Sequence, residues 1–378
     1  MNRLVIIGNG FDLAHGLKTS YKDFISWYLD SVFNIFYNED NIWQQDIKYT
    51  DTILNISMDT KLDLYNGNVI YGLQEYKEYT KYTVKRNSPI EFLEQLSSIN
   101  GLHITKSILL TRILTNIETK GWTDIESDYY ALLKDNADNL EACKRLNDQM
   151  DFLRDKLAEY LKTQKTEKYN EKILYDFCLD ISEEDVSQST INELDKFNFN
   201  NEKQNHTDFY TLKDLMVLDF NYTSTTEMYT DPKFINHIHG SLDKPEYIIF
   251  GYGDEMDKDF QELEDKNENE LLKNSKSIKY LETDNYRRLL QFIEGGDFQV
   301  YIMGHSCGNS DRTLLHTIFE HRNCISIKPF YYKWGEGENE DTYSDITRNI
   351  YRNFKDKTLF RDRVVNKKQC RPLPQASK

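Results

Sequence analysis

Four short segments carry residues whose types and spacing could do chemistry. The first is Gly8-Asn9-Gly10-Phe11-Asp12, which follows the apolar run 4–7 and opens a helical stretch at 11–15. A glycine-rich turn between a strand and a helix lets backbone N–H groups approach a phosphate at the helix N-terminus. The match to G-x-G-x-x-G is partial, because Leu13 stands where the third glycine belongs and the next glycine is Gly16. The plainer reading is a tight βα turn in which Asp12 caps the helix. The second segment is Asp219-Phe220-Asn221-Tyr222-Thr223, after the apolar run 215–218. The Asn221 amide can hold a hydroxyl or a water, or simply form the turn.

The third segment, His237-Ile238-His239-Gly240, ends a predicted strand at 234–238. Side chains alternate along a strand, so His237 and His239 point the same way if both are extended. His239 is then at the mouth of the sheet, beside a glycine that leaves room for a ligand. There it can act as a general base near neutral pH. A His-x-His pair also suits a metal, but no third ligand is spaced to complete such a site and no metal is expected. The fourth segment is Gly304-His305-Ser306-Cys307-Gly308-Asn309-Ser310-Asp311, between an apolar strand at 298–303 and a helix. Its small residues and hydroxyls make a second cradle for an anion or a ribose. Asp311 either serves that cradle or caps the helix. The spacing satisfies G-x-S-x-G, but no downstream acid and histidine pair supports a nucleophile elbow.

The elements that must position these segments are short apolar strands. They are read at 4–7, 215–220, 234–238, 247–250, 298–303 and 324–327, with helices at 271–293 and 311–320. Strands alternating with helices imply a mostly parallel sheet. All four segments follow strands, so they face one rim, and a crevice there is the default ligand site. The chain between is strand-poor. Helices are read at 21–36, 104–117 and 139–169, with another beginning at Pro89 behind Ser88, and with polar loops at 38–88 and 183–207. The long helix repeats Leu146, Met150, Leu153, Leu157 and Tyr160 at three- and four-residue spacing, fit to pack in its own domain or to form an oligomer seam. Trp122 and Glu126 lie four apart, and with Asp124 they read as a segment packed on the α/β core, one acid facing the crevice or capping a helix.

The expected organisation is therefore a nucleotide-binding α/β domain of residues 1–20 plus 208–335. A mostly helical insertion spans 21–207, and a C-terminal helix and basic tail fill 336–378. The 378 residues carry a formal net charge of −16, which disfavours nucleic acid as a partner. Five cysteines without C-x-x-C spacing read as reduced thiols. Met1-Asn2-Arg3 precedes only four apolar residues, unlike a signal peptide. No run approaches the ~20 apolar residues of a membrane span. A cytoplasmic protein, without membrane contact, is expected.

The opening run from Leu4 through Gly8-Asn9-Gly10-Phe11-Asp12-Leu13-Ala14-His15-Gly16 to Tyr21 resembles the AbiH family of bacterial phage abortive-infection proteins. Trp122-Thr123-Asp124-Ile125-Glu126, Phe220-Asn221-Tyr222-Thr223, His239-Gly240 and the 304–311 block extend that resemblance over nearly the whole chain. The family is in turn distantly similar to the sirtuin-type (DHS-like) NAD-binding fold, a Rossmann-like, mostly parallel α/β sheet. By this resemblance Asn221 and His239 match the catalytic Asn and His. Gly8, Asn9, Gly10, Phe11 and Asp12 match the first glycine loop, and Gly304 and Ser306, with Asp311 following, match a later one. Thr223 departs from the Asp that sirtuins carry, and their zinc cysteines are absent, which argues against a protein deacylase. The resemblance implies an anti-phage effector that takes NAD or a related nucleotide as ligand or substrate. Asn221 would position water or ribose and His239 would accept a proton, in response to a phage-derived trigger and with a homo-oligomer as one candidate state. A nucleotide-binding switch without turnover, and a nucleic-acid-directed effector, are the competing expectations.

Overall fold

The computed structural model describes residues 1–36, 48–58, 93–94, 97, 102–121, 123–192, 210–335, 337 and 340–375. Its strands in chain order are β1 (Asn2–Ile7), β2 (Lys48–Thr50), β3 (Leu54–Met58), β4 (Leu102–Lys106), β5 (Leu215–Asp219), β6 (Ile235–His237), β7 (Phe298–Met303) and β8 (Cys324–Phe330). The chain falls into two compact units. One holds Met1–Thr19, Leu161–Glu268 and Asn274–Lys378; the other holds Ser20–Tyr160 and Asn269–Lys273.

The first unit is built on a five-stranded sheet in the order β6-β5-β1-β7-β8, with every pairing parallel. Continuous apolar runs are what a sheet covered on both faces requires. Alternation sends Leu4, Ile6, Leu218, Val300 and Ile302 to one face, against Leu289, Phe292, Leu315 and Phe319 from the helices Asn285–Glu294 and Arg312–Phe319. Val5, Ile7, Val217, Tyr301 and Met303 take the other face with Phe11, Ala14, Ile173 and Phe177. From β1 the chain goes to β5 and β6 on one side, then crosses to β7 and β8 on the other. The order reverses between β1 and β7, and all five strands end at one rim.

Arg3, fully buried in β1, shows how a charge survives there. Its guanidinium donates to the carbonyls of Asp176 at 3.0 Å, Phe177 and Leu179 at the end of the helix Glu171–Cys178, and to Gln299 Oε1 at 3.2 Å. A helix C-terminus is a ready partner for a cation. The C-terminal segment is docked rather than free: Val365 N–H donates to Ile327 O at 2.9 Å and Leu373 N–H to Tyr331 O at 2.8 Å. Its basic residues are engaged too. Arg363 donates to the carbonyls of Phe319 and His321, and Lys367 and Arg371 pair with Asp341 and Asp176.

Two expectations for this unit are corrected. Residues 247–250 form no strand: a 3-10 turn at Pro245–Tyr247 leads into an apolar segment tied by Ile249 N–H to His239 O at 2.9 Å. Apolarity there marks burial, not a ladder. The helix read at 271–293 is broken, because Asn274 O accepts from Tyr252 N–H and Lys276 N–H donates to Tyr252 O. Helix resumes at Lys276–Lys279 and again at Asn285–Glu294.

The second unit has helices at Tyr21–Phe36, Ile108–Lys120, Ile125–Asp135 and Leu140–Leu161 and an antiparallel sheet β2-β3-β4. That sheet falls in segments read as loop or helix. The helix expected from 104 begins at 108, where Ser107 Oγ accepts from Leu110 N–H at 3.1 Å. Leu146, Met150, Leu153, Leu157 and Tyr160 are buried, and the Tyr160 ring lies tilted against those of Phe24 and Trp27. Asp124 caps its helix by accepting from Ser127 N–H at 3.2 Å. Trp122 and the helix expected at Pro89 lie outside the described residues.

Candidate functional site

At the switch between β1 and β7 the two glycine turns lie against each other. Gly8 N–H donates to Met303 O at 3.3 Å, Gly10 N–H to Gly304 O at 2.8 Å, and Phe11 N–H to Gly8 O at 2.8 Å. A Cβ on Gly10 would lie 2.8 Å from Gly304 O, and one on Gly8 would lie 2.6 Å from His305 Cα. Gly304 has φ 78°, and a Cβ there would lie 2.1 Å from Phe11 N. The glycines thus serve backbone-to-backbone approach. A phosphate cradle at this turn would need N–H donors, and those of Gly8, Gly10 and Phe11 are already engaged. The helix that follows, Asn9–Ala14, is only six residues long and has Gly8 as its N-cap, without a side-chain cap. Asn9 is exposed, and its Oδ1 accepts from Thr19 Oγ1. Asp12 is buried and does not cap; its Oδ2 accepts from Thr223 Oγ1 at 2.7 Å.

The end of β5 meets this turn. Asp219 Oδ1 accepts from Asn221 N–H at 2.9 Å, and its Oδ2 accepts from Thr226 Oγ1 at 2.7 Å. Asn221 Nδ2 donates to Gly8 O at 3.1 Å, joining the two strand ends. Burial, with the nearby Asp12 carboxyl, lifts Asp219 well above the ordinary carboxylate range. Burial raises Asp12 as well. His237 Nδ1 lies 3.4 Å from Asn221 O and 3.8 Å from Asp219 Oδ2, and burial lowers the affinity of its imidazole for a proton.

His239 takes a different path. β6 ends at His237, Gly240 follows at φ 84°, and Tyr247 O would sit 2.4 Å from a Cβ on Gly240. The turn separates the two histidines, so the expectation that they point together is corrected. His239 is 4% exposed, not at the mouth. Its Nε2 lies 3.2 Å from Tyr280 Oη and 3.4 Å from Asp311 Oδ1. Asp311 Oδ1 accepts from Lys276 Nζ at 2.8 Å, and its Oδ2 lies 3.5 Å from His305 Nε2. His305 Nδ1 accepts from Cys307 N–H at 3.0 Å, so Nε2 carries the ring proton. Phe220 lies against both rings, 4.9 Å from His239 and 4.3 Å from His305 between centroids. Burial and the Lys276 ammonium push His239 down to about 4. Burial would raise Asp311, but Lys276 and the two imidazoles outweigh it and hold the carboxylate well below its usual range. At neutral pH this is a closed Lys276–Asp311 ion pair flanked by a neutral His239.

The open space is beside His237. A cavity of about 570 Å³ is lined by His237, Thr223, Thr225, Lys162, Lys165 and Asp243, among others. A second, of about 460 Å³, lies along the same histidine, with Gly240, Tyr247 and Arg288 on its walls. Ser306 is exposed, its carbonyl accepting from Asn349 Nδ2 at 2.8 Å. The rim thus brings together Gly8, Gly10, Phe11, Asp12, Asn221, His239, Gly304 and Asp311, with Asn9 and Ser306 at its surface. Sequence reasoning passed over Lys276 and Tyr280, which no motif marks. Asp219 was named in the second segment but given no role, although an acid directly after the apolar run 215–218 was a visible signal.

Among the described residues no helix is long and apolar enough to cross a membrane, and no cluster of three or more His, Cys, Asp or Glu side chains could hold a metal ion. No curated protein and no solved structure matches the chain. The family model described as Bacteriophage abortive infection AbiH matches residues 4–333, and the chain belongs to that family.

Proposed function

We propose that this abortive-infection protein binds a nucleotide of the NAD class at the C-terminal rim of its parallel sheet and hydrolyses the N-glycosidic bond. The observation that carries the reading is the cavity of about 570 Å³ at the ends of β5 and β6, with an imidazole on its wall. Open α/β sheets take their ligands outside the carboxyl ends of the strands, and β5 and β6 end at this cavity. The volume falls within the few hundred to ~1,000 Å³ usual for small-molecule sites. Lys162 and Lys165 supply positive charge for a pyrophosphate, and Asp243 and Glu227 supply acceptors for ribose hydroxyls. A pyridinium leaving group already activates the glycosidic bond, so the protein need only hold the sugar, place a water and take a proton. Asn221 is assigned to the ribose or the water. His239, closed behind Phe220, is assigned to positioning through Asp311.

A nucleotide-binding switch without turnover is the second reading, and the enclosure of His239 favours it. The full chain, incubated with NAD and a lysate of phage-infected cells, separates the two. Nicotinamide release supports hydrolysis; saturable NAD binding without product supports the switch; the absence of both release and binding overturns the nucleotide reading.

A further inference from the structure

We propose that His237, rather than His239, is the proton acceptor of this site, with Asp219 and the Asn221 carbonyl as its positioning groups. The inference rests on the nucleotide-hydrolase reading and names the residue that would carry its chemistry.

The geometry separates the two histidines by what each nitrogen can reach. His237 Nδ1 faces Asn221 O at 3.4 Å and Asp219 Oδ2 at 3.8 Å. A carbonyl oxygen can only accept, so the arrangement favours the tautomer with the proton on Nδ1. The lone pair is then on Nε2, at the far edge of the ring. The side chain is 19% exposed and forms part of the wall of both cavities, so a ligand or water can reach it. His239 has neither property: its Nε2 is already between Tyr280 and Asp311, and its side chain is 6% exposed. An imidazole whose Nδ1 is held by a backbone carbonyl with a buried acid just beyond it, and whose other edge is on a cavity wall, is the arrangement of an oriented general base. Asp243 and Arg288 also act on the His237 ring, the first favouring its charged form and the second opposing it.

The step balances without a metal or a redox partner. Water oxygen bonds to the anomeric carbon as the carbon–nitrogen bond breaks, and its electron pair leaves with the ring as neutral nicotinamide. The water proton passes to His237 Nε2 and then to solvent. The products are ADP-ribose, nicotinamide and one proton.

The test uses the full chain, NAD and the lysate of phage-infected cells. His237→Ala should lower nicotinamide release by about 10²–10⁴-fold, with unchanged melting and NAD binding, and added imidazole should restore part of the rate. Asp219→Asn should lower kcat with little effect on KM and shift the pH profile. His237→Gln keeps the side-chain volume, and it should be as slow as the alanine variant. Wild-type rates in His237→Gln, or in a folded His237→Ala, overturn the assignment while the hydrolase reading stands. No nicotinamide from wild type overturns both.

Discussion

The backbone N–H of Gly10 donates to the carbonyl of Gly304 at 2.8 Å, so the two glycine turns at the head of the sheet hold each other. A methyl group on either glycine meets backbone, and backbone cannot step aside as the end of a side chain can. We expect Gly10→Ala and Gly304→Ala each to destabilise the fold by about 2–4 kcal/mol, from overpacking plus, at Gly304, left-handed strain. Chemical denaturation measures this. If Gly10→Ala instead kept full stability and lost only nucleotide affinity, the turn would be a ligand cradle and its packing role incidental.

Lys276 and Asp311 form a buried ion pair at 2.8 Å, and each is expensive to leave alone. Removing one partner of such a pair typically costs about 3–5 kcal/mol, while replacing both with apolar residues is often near neutral. Lys276→Met and Asp311→Leu should each destabilise by that order, and the double variant should recover most of the loss. A double-mutant cycle in urea gives the coupling. Additive losses would mean that the pair is not what stabilises the pocket behind Phe220.

How much of this was legible in the sequence depended on the range of the contact concerned. β1 and β7 showed as apolar runs ending in glycine, because a strand buried on both faces is mostly apolar, here with Arg3 and Gln299 as its buried polar members. The lysine that neutralises Asp311 is 35 residues away in the chain, and only the folded sheet brings it close. The direction of His239 was illegible for another reason. It depends on the left-handed Gly240 turn, which in turn depends on where Tyr247 O lies. The strands β2 to β4 include the polar run Lys48-Tyr49-Thr50, which has no apolar alternation to betray them.

His239 also sets a pH dependence. Its folded pKa of about 4 lies below the unfolded value of 6.5, so between those limits the unfolded chain binds more protons. Stability from this residue is therefore full above about pH 6.5 and falls as the pH drops toward 4. The total is on the order of 3 kcal/mol. Asp12 and Asp219 have raised folded values and act the other way, losing stability as pH rises above the unfolded carboxylate value of 3.8. Melting of wild type and His239→Gln from pH 4 to 7 isolates the histidine. Parallel curves would show that His239 keeps an ordinary pKa.

Lys162 and Lys165 provide the last prediction, because they separate recognition of phosphate from recognition of the sugar and base. Both side chains line the cavity, and both residues are exposed, so each contributes only the modest energy of a solvent-screened charge. At up to about 1 kcal/mol for each exposed pair, the double change Lys162→Ala with Lys165→Ala should raise KM for NAD by roughly 3- to 30-fold. kcat should be little altered, since the reacting bond is at the other end of the ligand. The wild-type KM should rise with added salt, and the variant should lose most of that dependence. Nicotinamide riboside has the same glycosidic bond and no phosphate, so its KM should be the same in both proteins. An equal rise for the riboside would place the lysines in general packing of the cavity. An unchanged KM for NAD would place the pyrophosphate elsewhere on the rim.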